Sequence, residues 1–385
     1  MRFPEFDGEW ETHRLGELVE IKSGVSPTGI IDENGLFPFY KVEQLNNCYV
    51  ELNETPYLTM QSSVPVHGII FPKRGAAIMT NKIRIASKPC QLDTNLMALI
   101  IENNEKVDYK FLFYFIARYN LSKIADTSTI PQINNIHINP LKITLPSFKE
   151  QQKISALLTV LDLKIDTQRK IIEDLKKLKD AINNSLHNNI NEFQLFSFNE
   201  MGNDYSGLIG KSSGDFGSGL PYISYLNVFR NGIITDGPFD CVKVSKTEKQ
   251  NIVNYGDLLF TLSSETPSEV GIGAIYLGKT TPLYLNSFCF GVHLSNQEKI
   301  YGPYLAYFVT SQYFRRTILP FAQGSTRYNL MKSDFMKHKF CFPNMASQKA
   351  IYNALHALSE KIQNEEVCLN KYTEQKRYLL TRLFI

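Results

Sequence analysis

Residues 146–189, PSFKEQQKISALLTVLDLKIDTQRKIIEDLKKLKDAINNSLHNN, leave little choice of structure. The stretch carries one proline, at its start, and no glycine. Apolar side chains recur at Ile154, Leu158, Leu161, Ile165, Ile172, Leu175, Ile182 and Leu186, in a four–three spacing broken only by Gln168 and Lys179. That period predicts one long helix with a narrow coiled-coil seam. The opposite face is Lys, Glu, Asp, Asn and Gln.

The pattern occurs twice. A shift of 197 residues carries Pro146 onto Pro343, Gln151 onto Gln348, and Leu158, Leu161, Ile165, Ile172, Ile182 and Leu186 onto Leu355, Leu358, Ile362, Leu369, Leu379 and Leu383. Leu175 becomes Tyr372, and the seam breaks repeat, Gln168 as Glu365 and Lys179 as Lys376. A shared period arises by chance, but shared breaks and a gapless register point to duplication. If the helices cover each other's seams within one molecule, the second must run back antiparallel, about a pseudo-twofold axis. About 40 helical residues at about 1.5 Å each would then hold the flanking lobes roughly 60 Å apart.

The chain of 385 residues is long enough for two cores. Four segments are expected: a lobe over 1–145, a helix over 146–190, a lobe over 191–342 and a helix over 343–385. In the first lobe, β-type runs at Arg14–Ile21, Phe37–Val42, Gly68–Phe71, Ala76–Met79, Ile83–Ala86 and Leu96–Ile101 alternate with Gly and Pro. A helix is expected over Asp108–Tyr119 with Asp108 as its cap, then an Asn-rich loop, STIPQINNIHINP, and a last strand, LKITLP. The second lobe repeats the plan. Leu220–Ser224 answers Phe37–Lys41, Asn254–Leu262 answers Lys73–Asn81, Tyr304–Val309 answers Phe111–Ile116, and Ser325-Thr326 answers Ser128-Thr129. The expected class is α+β, with two similar lobes and an antiparallel pair of long helices. The lobes have diverged more than the helices, which suits one mechanical task done twice and two different targets.

Little in the sequence suggests catalysis. There is no HExxH, GxSxG or GxGxxG, and the seven histidines are scattered. The string GLIGKSS at Gly207–Ser213 lacks the first glycine of a phosphate-binding loop, since position 205 is Tyr, and reads as a flexible loop. No Asn/Asp-Pro-Pro-aromatic motif of an amino-methyltransferase occurs. The six cysteines show no CxxC spacing and read as buried thiols of a reducing compartment. The opening MRFPEFDGEW has no apolar core, and no run approaches a membrane span, so the cytoplasm is expected.

Polar and basic loop residues remain. Net charge is only +3, so any basic surface must be local. Lys73, Arg74, Lys82, Arg84, Gln132, Asn134 and Asn135 in the first lobe, and Arg230, Lys243, Arg327, Tyr328, Asn329 and Lys332 in the second, lie at matching places. Arg, Lys, Asn and Gln are the side chains that hold phosphates or grip base edges. These thirteen are the candidate DNA-binding residues; none is expected to bind a metal or cofactor. A scaffold with two protein-binding lobes is the alternative on this evidence, and an enzyme with its own nuclease site a more distant one.

The stretches ETHRLGELVEIKSGVSP, FPFYKVEQLNN and LPSFKEQQKISALLTVLDLKIDTQRKIIEDLKKLK, with the weaker copy of the last after Pro343, give the chain a family. In these motifs and in its order lobe–helix–lobe–helix it resembles the DNA-specificity (S) subunits of type I restriction–modification enzymes. The resemblance implies that each lobe is a target-recognition domain reading one half of a split DNA sequence. It implies that the helices set the spacing and dock two methyltransferase subunits, which bind S-adenosylmethionine and methylate adenine. Motor–nuclease subunits using ATP and Mg would join them. The chain itself would be non-catalytic and carry no cofactor. Half-sites about one turn, roughly 34 Å, apart face one side of duplex DNA. The second copy reads FPNMASQKAI, without the Glu of the first, which implies weaker docking at that end.

Overall fold

The computed structural model describes residues 2–46, 49–52, 57–188, 193–295 and 299–384. Cys48 lies outside the described residues. The chain divides into two compact units, Met1–Ile171 with Glu365–Ile385, and Ile172–Asn364. Each unit therefore takes a lobe and half of each long helix, Phe148–Asn188 and Met345–Leu383.

The lobes share one topology. In the first, a five-stranded sheet has the order Val19–Ser23, Leu96–Ile101, Ile69–Pro72, Arg84–Ala86, Glu51–Leu52. In the second the order is Gly202–Ser206, Cys289–Leu294, Leu258–Thr261, Gly273–Tyr276, Ile233–Ile234. The outermost strand joins in parallel in both. The central strands, IIFP and LLFT, are buried at every position, so each reads as a continuous apolar run. A smaller three-stranded sheet is built around Phe37–Tyr40 in one lobe and Phe216–Ile223 in the other, each with one antiparallel and one parallel neighbour. A two-stranded ribbon ties each lobe's start to its end just before the long helix: Glu11–Arg14 with Lys142–Leu145, and Phe193–Ser197 with Lys339–Pro343.

Asp108 caps the helix Tyr109–Tyr119 as expected, its Oδ1 accepting the Phe111 N–H at 2.8 Å. Other local expectations need correction. The run Ala76–Met79 is a 3-10 turn, Ala76–Thr80, not a strand; Gly75 at φ 77° and Asn81 at φ 47° bend the chain on either side. Arg14–Ile21 is interrupted by another such turn, Leu15–Glu17. The Asn-rich loop contains a helical turn, Asn135–Ile138. The counterpart of Leu258–Thr261 is Ile69–Pro72, which holds the same place in the sheet, and not a segment within Lys73–Asn81. Matching apolar runs by composition misaligned the lobes here, because hydrogen-bonded neighbours, not composition, define a strand's place.

Within the first unit Ile154, Leu158, Leu161 and Ile165 are buried, and Leu379, Leu383 and Phe384 share the core of the first three. Asp162 meets Lys376 and Gln168 meets Glu365, so the two helices run antiparallel there. Phe384 packs on Phe111 with ring centroids 4.9 Å apart, returning the chain's end to the first lobe; Ile385 itself lies outside the described residues. In the second unit Ile182 and Leu186 pack with Ile351 and Leu355.

The seam breaks are polar contacts. Gln168 is buried and its amide donates to the Glu365 carbonyl at 3.3 Å and to its carboxylate. Lys376 binds Asp162 at 2.5 Å, and the Tyr114 hydroxyl donates to the same carboxylate at 2.7 Å. In the second unit the equivalent Lys179 reaches Ser359 at 3.5 Å, and Tyr307 meets that hydroxyl at 3.2 Å. The frame is the same, but the buried carboxylate has become a serine.

A second repeated contact explains the glutamines near the helix starts. Gln151 accepts the Asp108 N–H at 3.0 Å and donates to the carbonyls of Lys106 and Pro146, both at 3.0 Å. Gln348 accepts the Tyr301 N–H at 2.8 Å and donates to the carbonyls of Lys299 at 3.1 Å and Pro343 at 2.9 Å. Each glutamine clamps its long helix to the approach of the lobe helix through backbone groups alone. Glu150, by contrast, is 1% exposed and bound by the Arg2 guanidinium at 2.9 and 2.8 Å. It fastens the N-terminal arm. The second copy has Ser347 at this place, its N–H donating to Asn344 Oδ1 at 2.9 Å.

Candidate nucleic-acid interface

In the first unit the central strand Ile69–Pro72 runs out into Lys73-Arg74-Gly75, which pairs with Pro131-Gln132-Ile133. Gly75 N–H donates to Pro131 at 2.7 Å and Ile133 N–H to Lys73 at 2.8 Å. Lys73 N–H donates to Asn95 at 2.9 Å, and Gln132 exchanges backbone bonds with Asp126, both 2.9 Å. Arg74, Asn134 and Asn135 are exposed; Lys73 and Gln132 are half-buried. Burial, then the neighbouring Arg74 charge, lowers the Lys73 pKa. Two cations crowded in this way are stabilised by an anion such as a phosphate.

The second unit builds the same address with other side chains. Ser263-Ser264 continues the central strand and pairs with Tyr328–Leu330, which closes a hairpin with Ala322–Gln323. Asn329 stands at the Gln132 position and Gln323 at the Asp126 position of the 197-residue shift. Arg327 is exposed at the hairpin tip, its guanidinium 5.0 Å from the Phe288 ring centroid; Tyr328 is half-buried and Asn329 exposed. Burial raises the Tyr225 pKa, while the Ser264 side chain and the Arg327 charge pull it down, which places this phenol beside the same site.

The remaining candidates are not brought to these pairings. Lys82 donates to Asn46 Oδ1, and Arg84 donates to the Leu45 carbonyl at 2.6 Å and to the Ile83 carbonyl at 2.8 Å. Both are tied to the turn Val42–Asn46. Lys332 is paired with Asp204 and lies 4.9 Å from the Phe290 ring centroid. Arg230 ends the helix Tyr225–Arg230, exposed, and exposed Lys243 follows the strand Asp240–Val242. Lys211 of the GLIGKSS string pairs with Glu248 and donates to the Lys243 carbonyl at 2.6 Å, so its ammonium is engaged internally. Sequence reasoning missed Phe288, Tyr225 and Ser264. No sequence signal separates Phe288 from a core phenylalanine; its 49% exposure does.

Arg84 supplies a direct check on this division. Arg84→Met should lower stability by about 1–3 kcal/mol, because two backbone carbonyls lose a charged donor, and should leave the DNA sequence recognised unchanged. Denaturation of the variant and selection of the duplexes it retains test both halves of the expectation.

Among the described residues no group of three His, Cys, Asp or Glu is placed to hold a metal, and no helix is long and apolar enough to cross a membrane. The model of the type I restriction modification DNA specificity domain matches residues 7–177 and again 184–372. The MjaVIII type I restriction enzyme specificity subunit of Methanocaldococcus jannaschii is 22% identical, over 94% of this chain and 88% of the relative. The EcoDI specificity subunit of Escherichia coli is 24% identical over 45% of this chain and 37% of its own. The crystal structure of the S subunit from M. genitalium shares the fold, with a TM-score of 0.58 at 16% identity, over 100% of this chain and 97% of that one. A chain from a structural study of type I R-M complex assembly and conformational transition does so with a TM-score of 0.62 at 15% identity, over 99% and 98%. With the domain present twice and its frame repeated strand for strand, the chain belongs to the family of type I restriction–modification DNA specificity subunits.

Proposed function

We propose that each unit reads one half of a bipartite duplex target through the pairing that extends its central strand, Lys73–Gly75 with Pro131–Ile133 in one and Ser263-Ser264 with Tyr328–Leu330 in the other. The long helices set the distance between the half-sites and dock two methyltransferase subunits. This chain contributes no catalytic group. S-adenosylmethionine and the adenine chemistry belong to the methyltransferase partners, and ATP and Mg to the motor–nuclease subunits that join them. The observation that carries this reading is one interface address built twice on one frame with different side chains. A scaffold with two protein-binding lobes gives no reason for one backbone pairing to be kept on a shared strand order with Arg, Lys, Asn and Gln at its surface.

The test is adenine methylome sequencing in a host that lacks other methylation, with and without this gene. Arg74→Ala or Lys73→Ala should alter or weaken the first half-site and leave the second half-site's sequence untouched. An effect on both half-sites from one lobe variant, or methylation with no sequence preference, would defeat the two-reader function.

A further inference from the structure

The tip of the second unit's hairpin is more specifically built than a solvated loop. Gly324 has φ 146°, and a Cβ there would lie 2.0 Å from the Arg327 carbonyl oxygen, so the turn closes tightly on Arg327. The next residues are fixed by the pairing of Ser264 with Tyr328 and by the Leu330 N–H donating to Leu262 at 2.8 Å. Phe288 is anchored to the same strand, since its carbonyl accepts the Leu262 N–H at 2.8 Å and its own N–H donates to Asn286 Oδ1 at 2.9 Å. One strand thus holds the backbones of both partners, and the Arg327 guanidinium rests 5.0 Å from the ring centroid of a phenylalanine that is half-exposed.

A single exposed apolar side chain is ordinary on a protein surface, so it is the arginine resting on it that sets Phe288 apart. A guanidinium placed over an aromatic ring is held by its face and keeps its edge nitrogens available. That edge is the fork that matches O6 and N7 of guanine in the major groove, and loss of side-chain freedom is what a flexible arginine otherwise costs on binding. The first unit lacks the device: the Phe288 place, where a carbonyl accepts the strand's N–H, is Asn95, and the 197-residue shift takes Arg327 to Ile130. The pair is therefore a property of one reader and not of the shared frame.

We propose that Arg327, pre-oriented on the Phe288 ring, reads a guanine in the major groove of the second unit's half-site, with Phe288 as the positioning residue. This rests on the two-reader function proposed above. The experiment uses the complete chain with its methyltransferase subunits, reading the methylome in cells and the binding of wild-type and singly substituted duplexes over a range of salt. The wild-type second half-site should contain a G·C pair at which Arg327→Ala loses discrimination by roughly 5- to 150-fold. Arg327→Lys keeps the charge without the fork and should lose part of that discrimination while holding overall affinity. Phe288→Leu should relax that same position, and Phe288→Tyr should restore it. If Arg327→Ala instead weakens every sequence alike and flattens the salt dependence while Arg327→Lys behaves as wild type, the contact is to phosphate and the inference falls. It falls equally if Phe288→Leu keeps full discrimination, or if the second half-site has no G·C pair. A change confined to the first half-site would overturn the assignment of lobes, and wild-type methylation without sequence preference would overturn the parent function.

Discussion

Lys376→Met should destabilise the first unit by about 3–5 kcal/mol, because it strands a buried carboxylate. Asp162 is 5% and Lys376 15% exposed at the side chain, so solvent cannot take the place of the lost ammonium. The Tyr114 hydroxyl remains as one donor to Asp162, which is too little to compensate a full charge. Asp162→Ser should be far milder. It recreates in the first unit the arrangement the second unit already uses, in which a lysine, a tyrosine hydroxyl and Ser359 meet without a carboxylate. The double variant Asp162→Ser with Lys376→Met should be more stable than Lys376→Met alone, since the stranded charge is gone. Urea denaturation of the four proteins closes the cycle. A double variant no more stable than Lys376→Met alone would show that the contact is worth only its packing.

Gln151→Leu is the second large effect. The leucine fills a similar volume but leaves the Asp108 N–H and the carbonyls of Lys106 and Pro146 without their partner. Gln151 is 1% exposed, so water has poor access to replace it. At about 1–3 kcal/mol for each stranded buried group, with partial relaxation, we expect a loss of about 3 kcal/mol. Gln348→Leu should do the same to the second unit. Hydrogen exchange separates the two, because Gln151→Leu should speed exchange of the Asp108 amide and leave the Tyr301 amide protected, and Gln348→Leu the reverse. Global exchange at both amides from either variant would mean that the clamps are not local joints.

The long helices were readable from sequence because their period, their breaks and their register repeat together; Gln168 and Lys179 are breaks in an apolar seam and also the polar contacts of the structure. The Asp108 cap was readable because the rule is local. What failed was non-local. Ala76–Met79 is apolar enough for a strand, yet its flanking left-handed residues turn it into a 3-10 segment. The bond from the Arg84 guanidinium to the carbonyl of Leu45, 39 residues earlier, was likewise invisible to residue type. The bond between Glu150 and Arg2, 148 residues earlier, could not be read from the helix pattern either. The matching pairings that hold Arg74 with Gln132 and Asn329 with Ser263 were legible from residue type and the 197-residue shift, whereas the outward-facing ring of Phe288 beside Arg327 was not.

The glutamine clamp has a consequence for how such a chain acquires new targets. On the lobe side it recognises one carbonyl and one N–H in each of Lys106–Asp108 and Lys299–Tyr301, and no side chain. A joint that is blind to side chains places no demand on the residues that read DNA. A lobe's surface can change without disturbing this joint, and what must stay matched to the helix is the core beneath it and the Tyr114–Asp162 contact. The inherited part is the socket; the vocabulary plugged into it is free to drift.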